Sequence, residues 1–365
     1  MIFVFVVGFL ISSFLCRWIC RFAERLGLVD KPGRRKIHEK PTPTDGGLAI
    51  WLAIVAPLAV GQLILWALVW ERSDGENFFR LPQFIEIHLS GLLQQSQKLW
   101  QLLGLGTVLV FLGLWDDLRG LNWKFRIAVQ FCVAMAIVSL GWRASLFIDA
   151  PVITYWLSVF WVVGLINSFN MLDNMDGLSA GVASICAAFF SLIMLSQPLP
   201  ATNQPQIFLG GLMLLILGAI LGFLRHNLPP AKLFMGDSGA YFIGYLLATS
   251  TLSATYAGYE TPRQTIFVPM VLLAAPIYDV VSVVAIRLKE KRSPFVGDKS
   301  HFSHRLVELG FTKPQAVCVV YLVTAICCLG ALLLYHATFF GAVIIFLQTV
   351  LILILIAILE TKRKK

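Results

Sequence analysis

The sequence predicts an all-α polytopic membrane protein of about eleven transmembrane helices, with the N-terminus outside, the C-terminus cytoplasmic and a site on the cytoplasmic face. Three observations carry this. First, 58% of the residues are hydrophobic and only 13% charged, with a mean hydropathy of +0.79. A soluble chain of 365 residues does not have that balance. Second, apolar runs of roughly 20 residues recur along the whole chain. Third, Lys and Arg alternate between short polar segments. With the N-terminus outside, 24 of the 29 fall on the cytoplasmic side.

The predicted spans are 2–22, 46–70, 99–115, 125–142, 152–167, 177–197, 207–224, 238–257, 264–287, 314–335 and 340–359. They form one integral-membrane domain over 1–365, with cytoplasmic loops near 23–45, 116–124, 168–176, 225–237 and 288–313. The first run is followed, not preceded, by basic residues (Arg17, Arg21, Arg25) and lacks a small-residue cleavage site, so it reads as an uncleaved span. The seven cysteines show no CxxC spacing and read as small core residues, not metal ligands or disulfides.

Residues 28–47 contain three prolines and three glycines and read as an extended loop. Arg34, Arg35, Lys36 and His38 there could meet phosphates or anionic head groups, or serve only as topology signals. Residues 71–98 form the long outer loop, where Leu89, Leu92, Leu93 and Trp100 suit an interfacial helix.

Three apolar runs end at aspartates: Asp116-Asp117; Asp173 and Asp176; and Asp237. The charge rule places all five on one side without having used them to choose it. The spacing of three predicts Asp173 and Asp176 on one helical face. Adjacent Asp116 and Asp117 repel unless Lys124, Arg126 or a divalent metal lies near; a water-exposed turn is the plain alternative. Asp237-Ser238 reads as a helix-start region, either a simple cap or a site where a metal would bridge to phosphate oxygens. Asp279 lies inside the ninth run and must find a partner, either supporting the site or only pairing helices. His301 and His304 share a face with Arg305 beside them, a set better suited to a diphosphate than to structural zinc. Clustered carboxylates at a water–lipid boundary favour Mg²⁺, or Mn²⁺, with substrate phosphates completing its shell. The residues thus reach a metal-assisted phosphoryl transfer between a soluble nucleotide compound and a lipid phosphate.

Several stretches then carry a family resemblance: Asp30-Lys-Pro…Arg35-Lys-Ile-His38…Gly46-Gly47; Asp116-Asp117 with Lys124; Asn167…Asn170-Met-Leu-Asp-Asn-Met-Asp-Gly177; Phe234-Met-Gly-Asp-Ser-Gly239; Pro276-Ile-Tyr-Asp279; and Asp298-Lys-Ser-His-Phe-Ser-His-Arg305. In this order the chain resembles the polyprenyl-phosphate N-acetylhexosamine-1-phosphate transferases (glycosyltransferase family 4), and its last loop is most similar to that of the GlcNAc-1-phosphate branch. The resemblance implies an eleven-span enzyme of the bacterial inner membrane acting early in cell-envelope polysaccharide synthesis. Its partners would be a UDP-N-acetylhexosamine and undecaprenyl phosphate, giving undecaprenyl-diphospho-sugar and UMP. It implies no nucleic-acid partner and leaves a homodimer open.

By the same resemblance Asp237 and Asp173 would hold the metal, and Asp116, Asp117, Asp173 and Asp176 would be catalytic. Lys124, Asn170, His301, His304, Arg305 and His38 would bind substrate, with Asn167 and Asp279 in support. The chain departs from the pattern at Ser303, where that branch usually has His; at Asn174, where Gly is commoner; and at Asp45. UDP-MurNAc-pentapeptide or another UDP-sugar is the alternative donor. A lipid-linked substrate transporter is the non-enzyme alternative, but it would more often carry polar groups near the midplane and repeat symmetry.

Overall fold

The computed structural model describes residues 1–30, 41–73, 83–144, 150–199, 204–254, 263–293 and 300–361. His38, with Arg34, Arg35 and Lys36, lies outside the described residues. The chain is an all-α polytopic membrane protein. In order it forms α1 (Ile2–Leu26), α2 (Gly46–Ser73), α3 (Gln83–Arg119), α4 (Trp123–Ser139), α5 (Pro151–Leu172), α6 (Leu178–Ser196), α7 (Ile207–Asn227) and α8 (Gly236–Ser253). It continues with α9 (Val268–Leu272), α10 (Ala274–Lys289), α11 (Phe302–Glu308), α12 (Lys313–Leu333) and α13 (Phe339–Thr361). Two short antiparallel ladders, Val29–Asp30 with Thr42–Pro43 and Pro198–Leu199 with Gln204–Pro205, are the strands among the described residues.

Eight described helices are long and apolar enough to cross a bilayer: α1, α2, α3, α5, α6, α7, α12 and α13. The α9–α10 pair makes a ninth if taken as one broken span. The predicted runs at 125–142 and 238–257 are helical too, as α4 and α8. The long outer segment differs from expectation: its described part is not a separate interfacial helix but continues into the third span, giving a 37-residue α3. Gln, Leu and Lys between Gln83 and Leu103 are good helix formers, and no proline interrupts them.

Helix α8 is the hub. Every residue from Ser238 to Leu252 is buried, and the helix packs against α2, α3 and α5. Such enclosure suits small residues at crossings. A Cβ on Gly47 of α2 would lie 2.1 Å from the backbone N of Gly239, and one on Gly113 of α3 would lie 2.3 Å from the N of Ser238. The backbone is stitched at the same end: Gly46 and Gly47 donate to the carbonyls of Phe234 and Met235, both at 2.9 Å. The first turn of α8, which carries Asp237, is therefore held from several sides.

The span over 264–287 bends by 67° between α9 and α10. Pro276 has no N–H, so the carbonyl four residues earlier, on Leu272, loses its helical donor. Two thiols replace it: Cys186 of α6 and Cys328 of α12 each place Sγ 3.5 Å from the Leu272 oxygen. Both cysteines are buried and unbridged, as core residues, whereas Cys132 and Cys318 are exposed and depart from that reading.

Candidate active site

All five aspartates singled out in the sequence line one cleft of about 980 Å³. Arg126, Asn227, Pro229, Pro230, Gly236 and Lys313 share its wall. The shape follows from how the helices end. Arg119 closes α3 just after Asp116-Asp117, and Asn122 caps α4 by accepting from the Lys124 N–H. Helix α5 ends at Leu172 with Asp173 as its cap.

The helical-face reading of Asp173 and Asp176 is corrected here. Both sit on the turn between α5 and α6, because Asn174 turns its Nδ2 back onto the Met171 carbonyl and Gly177 takes φ +76°. Behind this turn, Asp176 accepts from the Ala231 N–H at 2.9 Å, and the Gly177 N–H donates to Asn227 Oδ1 at 2.9 Å.

Arg126 joins two of the aspartates. Its Nη1 bonds Asp116 Oδ2 and lies 3.3 Å from Asp237 Oδ2. Tyr241, one turn after Asp237, places its hydroxyl 3.2 Å from Asp237 Oδ2 and 3.4 Å from Asp116 Oδ2. Asn170 Nδ2 donates to Asp237 Oδ1 at 2.6 Å. Asp116 also accepts from the Leu121 N–H, and Asp117 accepts from the Asp237 N–H at 2.9 Å. Asp45, fully buried at φ +67°, shares a hydrogen bond with Asp117 and is 3.4 Å from Ser238 Oγ. Burial raises the Asp45 carboxyl above its usual range, against the lowering effect of those bonds.

Asp173 is pushed up to about 7, first by burial and then by the charges of Asp237 and Asp176. A cation beside it would reverse that push. The donor set is all hard oxygen, which suits Mg²⁺. Among the described residues no three His, Cys, Asp or Glu side chains gather as a closed metal cage. Mg²⁺ does not require one, since one or two carboxylates with substrate phosphates and water complete its shell.

The other expected residues take different places, off the cleft wall. Lys124 is exposed, its ammonium 5.8 Å from the Trp123 ring centre. Asn167 bonds Gln130 of α4 at 2.6 Å. Asp279 is fully buried and accepts from the Phe302 N–H at 2.6 Å, with His301 Nδ1 at 3.0 Å. The His301 and His304 rings lie 6.4 Å apart. Arg305 is buried: Nε bonds Glu360 Oε2 at 2.8 Å, Nη2 bonds Ser282 Oγ at 2.8 Å and Nη1 bonds the Ser300 carbonyl. Tyr278 donates to the same Glu360 oxygen at 2.9 Å.

Gly236 is where the cleft tolerates least change. It has φ +74°, and an added Cβ would lie 2.7 Å from Asp117 Oδ2 and 3.2 Å from Asp45 Oδ1. A left-handed backbone costs a non-glycine residue about 1–2 kcal/mol before any clash. Gly236→Ala is expected to displace Asp117 and lower turnover about tenfold or more, with the kcat of the purified variant as the check.

These features define an all-α membrane protein with an acidic cleft at the ends of its helices. The sequence profile of glycosyl transferase family 4 matches residues 99–255. A probable undecaprenyl-phosphate N-acetylglucosaminyl 1-phosphate transferase of Bacillus subtilis is 30% identical over 98% of this chain and 89% of its own length. A decaprenyl-phosphate N-acetylglucosaminephosphotransferase of Mycobacterium tuberculosis is 30% identical over 88% of this chain and 79% of its own. An undecaprenyl-phosphate alpha-N-acetylglucosaminyl 1-phosphate transferase of Salmonella typhimurium is 30% identical over 87% and 80%. The chain belongs to this family of polyprenyl-phosphate hexosamine-1-phosphate transferases.

Proposed function

We propose that the protein transfers N-acetylglucosamine 1-phosphate from UDP-GlcNAc to undecaprenyl phosphate, releasing UMP. The observation that carries this reading is the convergence of Asp116, Asp117, Asp173, Asp176, Asp237 and Arg126 on one cleft at the ends of membrane helices. The names of the relatives support the choice of sugar and lipid. An oxygen of the lipid phosphate attacks the β-phosphorus of the donor. The bond from that phosphorus to the bridging oxygen breaks, and UMP leaves with the electron pair.

The residues divide the work. Asp237 and Asp173 would hold Mg²⁺, which supplies charge neutralisation for the phosphate oxygens when bound. Arg126 contacts both Asp116 and Asp237, which would tie the residue that orients the lipid phosphate to the principal metal ligand. Asn170 and Tyr241 fix the Asp237 carboxylate in place. Lys313, which shares the cleft wall with Arg126, would meet the donor's phosphates. The excess of Lys and Arg on one side supports eleven spans with this cleft facing the cytoplasm of the inner membrane.

The test is purified protein in detergent with undecaprenyl phosphate, Mg²⁺ and UDP-GlcNAc, following UMP release. Release that requires both lipid and Mg²⁺ is expected. Turnover only with another UDP-sugar would move the substrate but keep the reaction. Silence with every UDP-sugar, in folded protein, would overturn the reading in favour of transport.

A further inference from the structure

Helix α11 has seven residues, too few to be stable alone. It packs on α12, and its polar side chains and backbone tie it to three other elements. At its start, the Phe302 N–H and the His301 ring meet Asp279 of α10. Further along, Arg305 meets Glu360 of α13. Between them, Ser303 Oγ, on a residue only 1% exposed, donates to Asn174 Oδ1 at 2.6 Å. This middle attachment is the one that reaches the turn carrying Asp173 and Asp176.

The turn is held unevenly. Its second half is fixed by Asp176 on Ala231, by Gly177 on Asn227 and by the Tyr321 hydroxyl on the Gly177 carbonyl. In its first half, Asn174 is clamped through both ends of its amide, Nδ2 to Met171 at 2.8 Å and Oδ1 to Ser303. Asp173, the neighbouring residue, lines the cleft, as does Asn174. Both members of the pair are positions where the chain departs from the pattern it otherwise resembles. Glycine at 174 would have no side chain to offer, so the hydroxyl and the amide form a matched pair.

We propose that the Ser303–Asn174 hydrogen bond is a positioning contact for the transfer reaction, locking α11 to the catalytic turn so that Asp173 is held in register with Asp237. This rests on the phosphosugar transfer proposed above. Ser303, which is off the cleft wall, acts through Asn174 and the turn that carries Asp173, and the contact serves the chemical step more than the binding of the lipid.

The experiment compares wild type, Ser303→Ala, Ser303→Thr, Asn174→Ala and the Ser303→Ala/Asn174→Ala double variant. It measures UMP release with UDP-GlcNAc and undecaprenyl phosphate, kcat and each KM separately, and the thermal midpoint. Each alanine variant is expected to lose about tenfold or more in kcat, since small misplacements of reacting groups are costly. The KM for the lipid phosphate should stay within about twofold, because a uniform binding contribution is not what is removed. The double variant should lose no more than the worse single variant, the mark of one shared interaction, and Ser303→Thr should restore turnover. Wild-type kcat in the single variants, losses that multiply in the double variant, or a loss that follows a fallen thermal midpoint and is not rescued by Thr would each overturn the proposal. If wild type releases no UMP with any UDP-sugar, the transfer reading itself fails and the coupling with it. Wild-type turnover with indifferent variants defeats the coupling alone.

Discussion

Asp237→Asn is expected to abolish UMP release while leaving the protein folded. The substitution keeps shape and volume but removes the charge and turns one acceptor oxygen into a donor. Asp237 has no acceptor to lose: Oδ1 receives Asn170 Nδ2 at 2.6 Å, and Oδ2 faces both Tyr241 and Arg126. In one orientation the new NH₂ meets the Asn170 NH₂, and in the other it meets the Arg126 guanidinium, both of which only donate there. The site would lose a ligand for a hard cation and the partner that balances Arg126. Removal of one preorganised electrostatic group in an active site costs about 10²–10³-fold in kcat, and this residue combines two such roles. UMP release, with the thermal midpoint as a control for folding, is the measurement; activity within tenfold of wild type would remove Asp237 from the centre of the mechanism.

The second large effect is on stability. Arg305→Met should lower the thermal midpoint in detergent markedly, because it leaves the Glu360 carboxylate buried without its cation. The two side chains are 4% and 6% exposed, and breaking a buried pair costs about 3–5 kcal/mol. Removing both charges, as Arg305→Met with Glu360→Leu, should recover most of the loss, since replacing a buried pair with apolar groups is often neutral. This separates two roles for Arg305. A diphosphate ligand would show a raised donor KM at unchanged stability. The buried brace seen here predicts instability that the double substitution repairs.

Much of the architecture was legible because apolar length and charge alternation are strong signals in a membrane chain. They located every described span and the five aspartates that share the cleft. What was not legible depended on contacts between distant elements. Asp173 and Asp176 have helical spacing, yet Asn174 and Gly177 break the helix between them, and a spacing argument does not see a side chain capping its own turn. Arg126 was one of three candidate cations for the Asp116-Asp117 pair; only the docking of α4 against α3 and α5, which brings the Arg126 side chain to Asp116 and to Asp237 of α8, decides for it over Lys124. Tyr241 carried a readable signal, four residues after Asp237 on one helix face. Glu360 carried none, because a single acidic residue ahead of the basic stretch 362–365 looks like part of a solvated end. Asp279 and Arg305 were recognised as residues needing explanation, but their partners lie 22 and 55 residues away.

That last separation bears on how the molecule is made. Arg305 emerges from the ribosome before α12 and α13 have been synthesised, and its carboxylate partner arrives 55 residues later. Until α13 has inserted, the guanidinium has the Ser282 hydroxyl and the Ser300 carbonyl but no carboxylate to balance its charge. The short helix that carries it then keeps its contacts to Asp279 and Asn174 but lacks the buried brace to α13. Catalytic competence should therefore come at the close of insertion, when the final turn of α13 reaches the cleft's supporting loop. A chain stalled before Glu360 would carry every cleft residue and still be an unfinished enzyme.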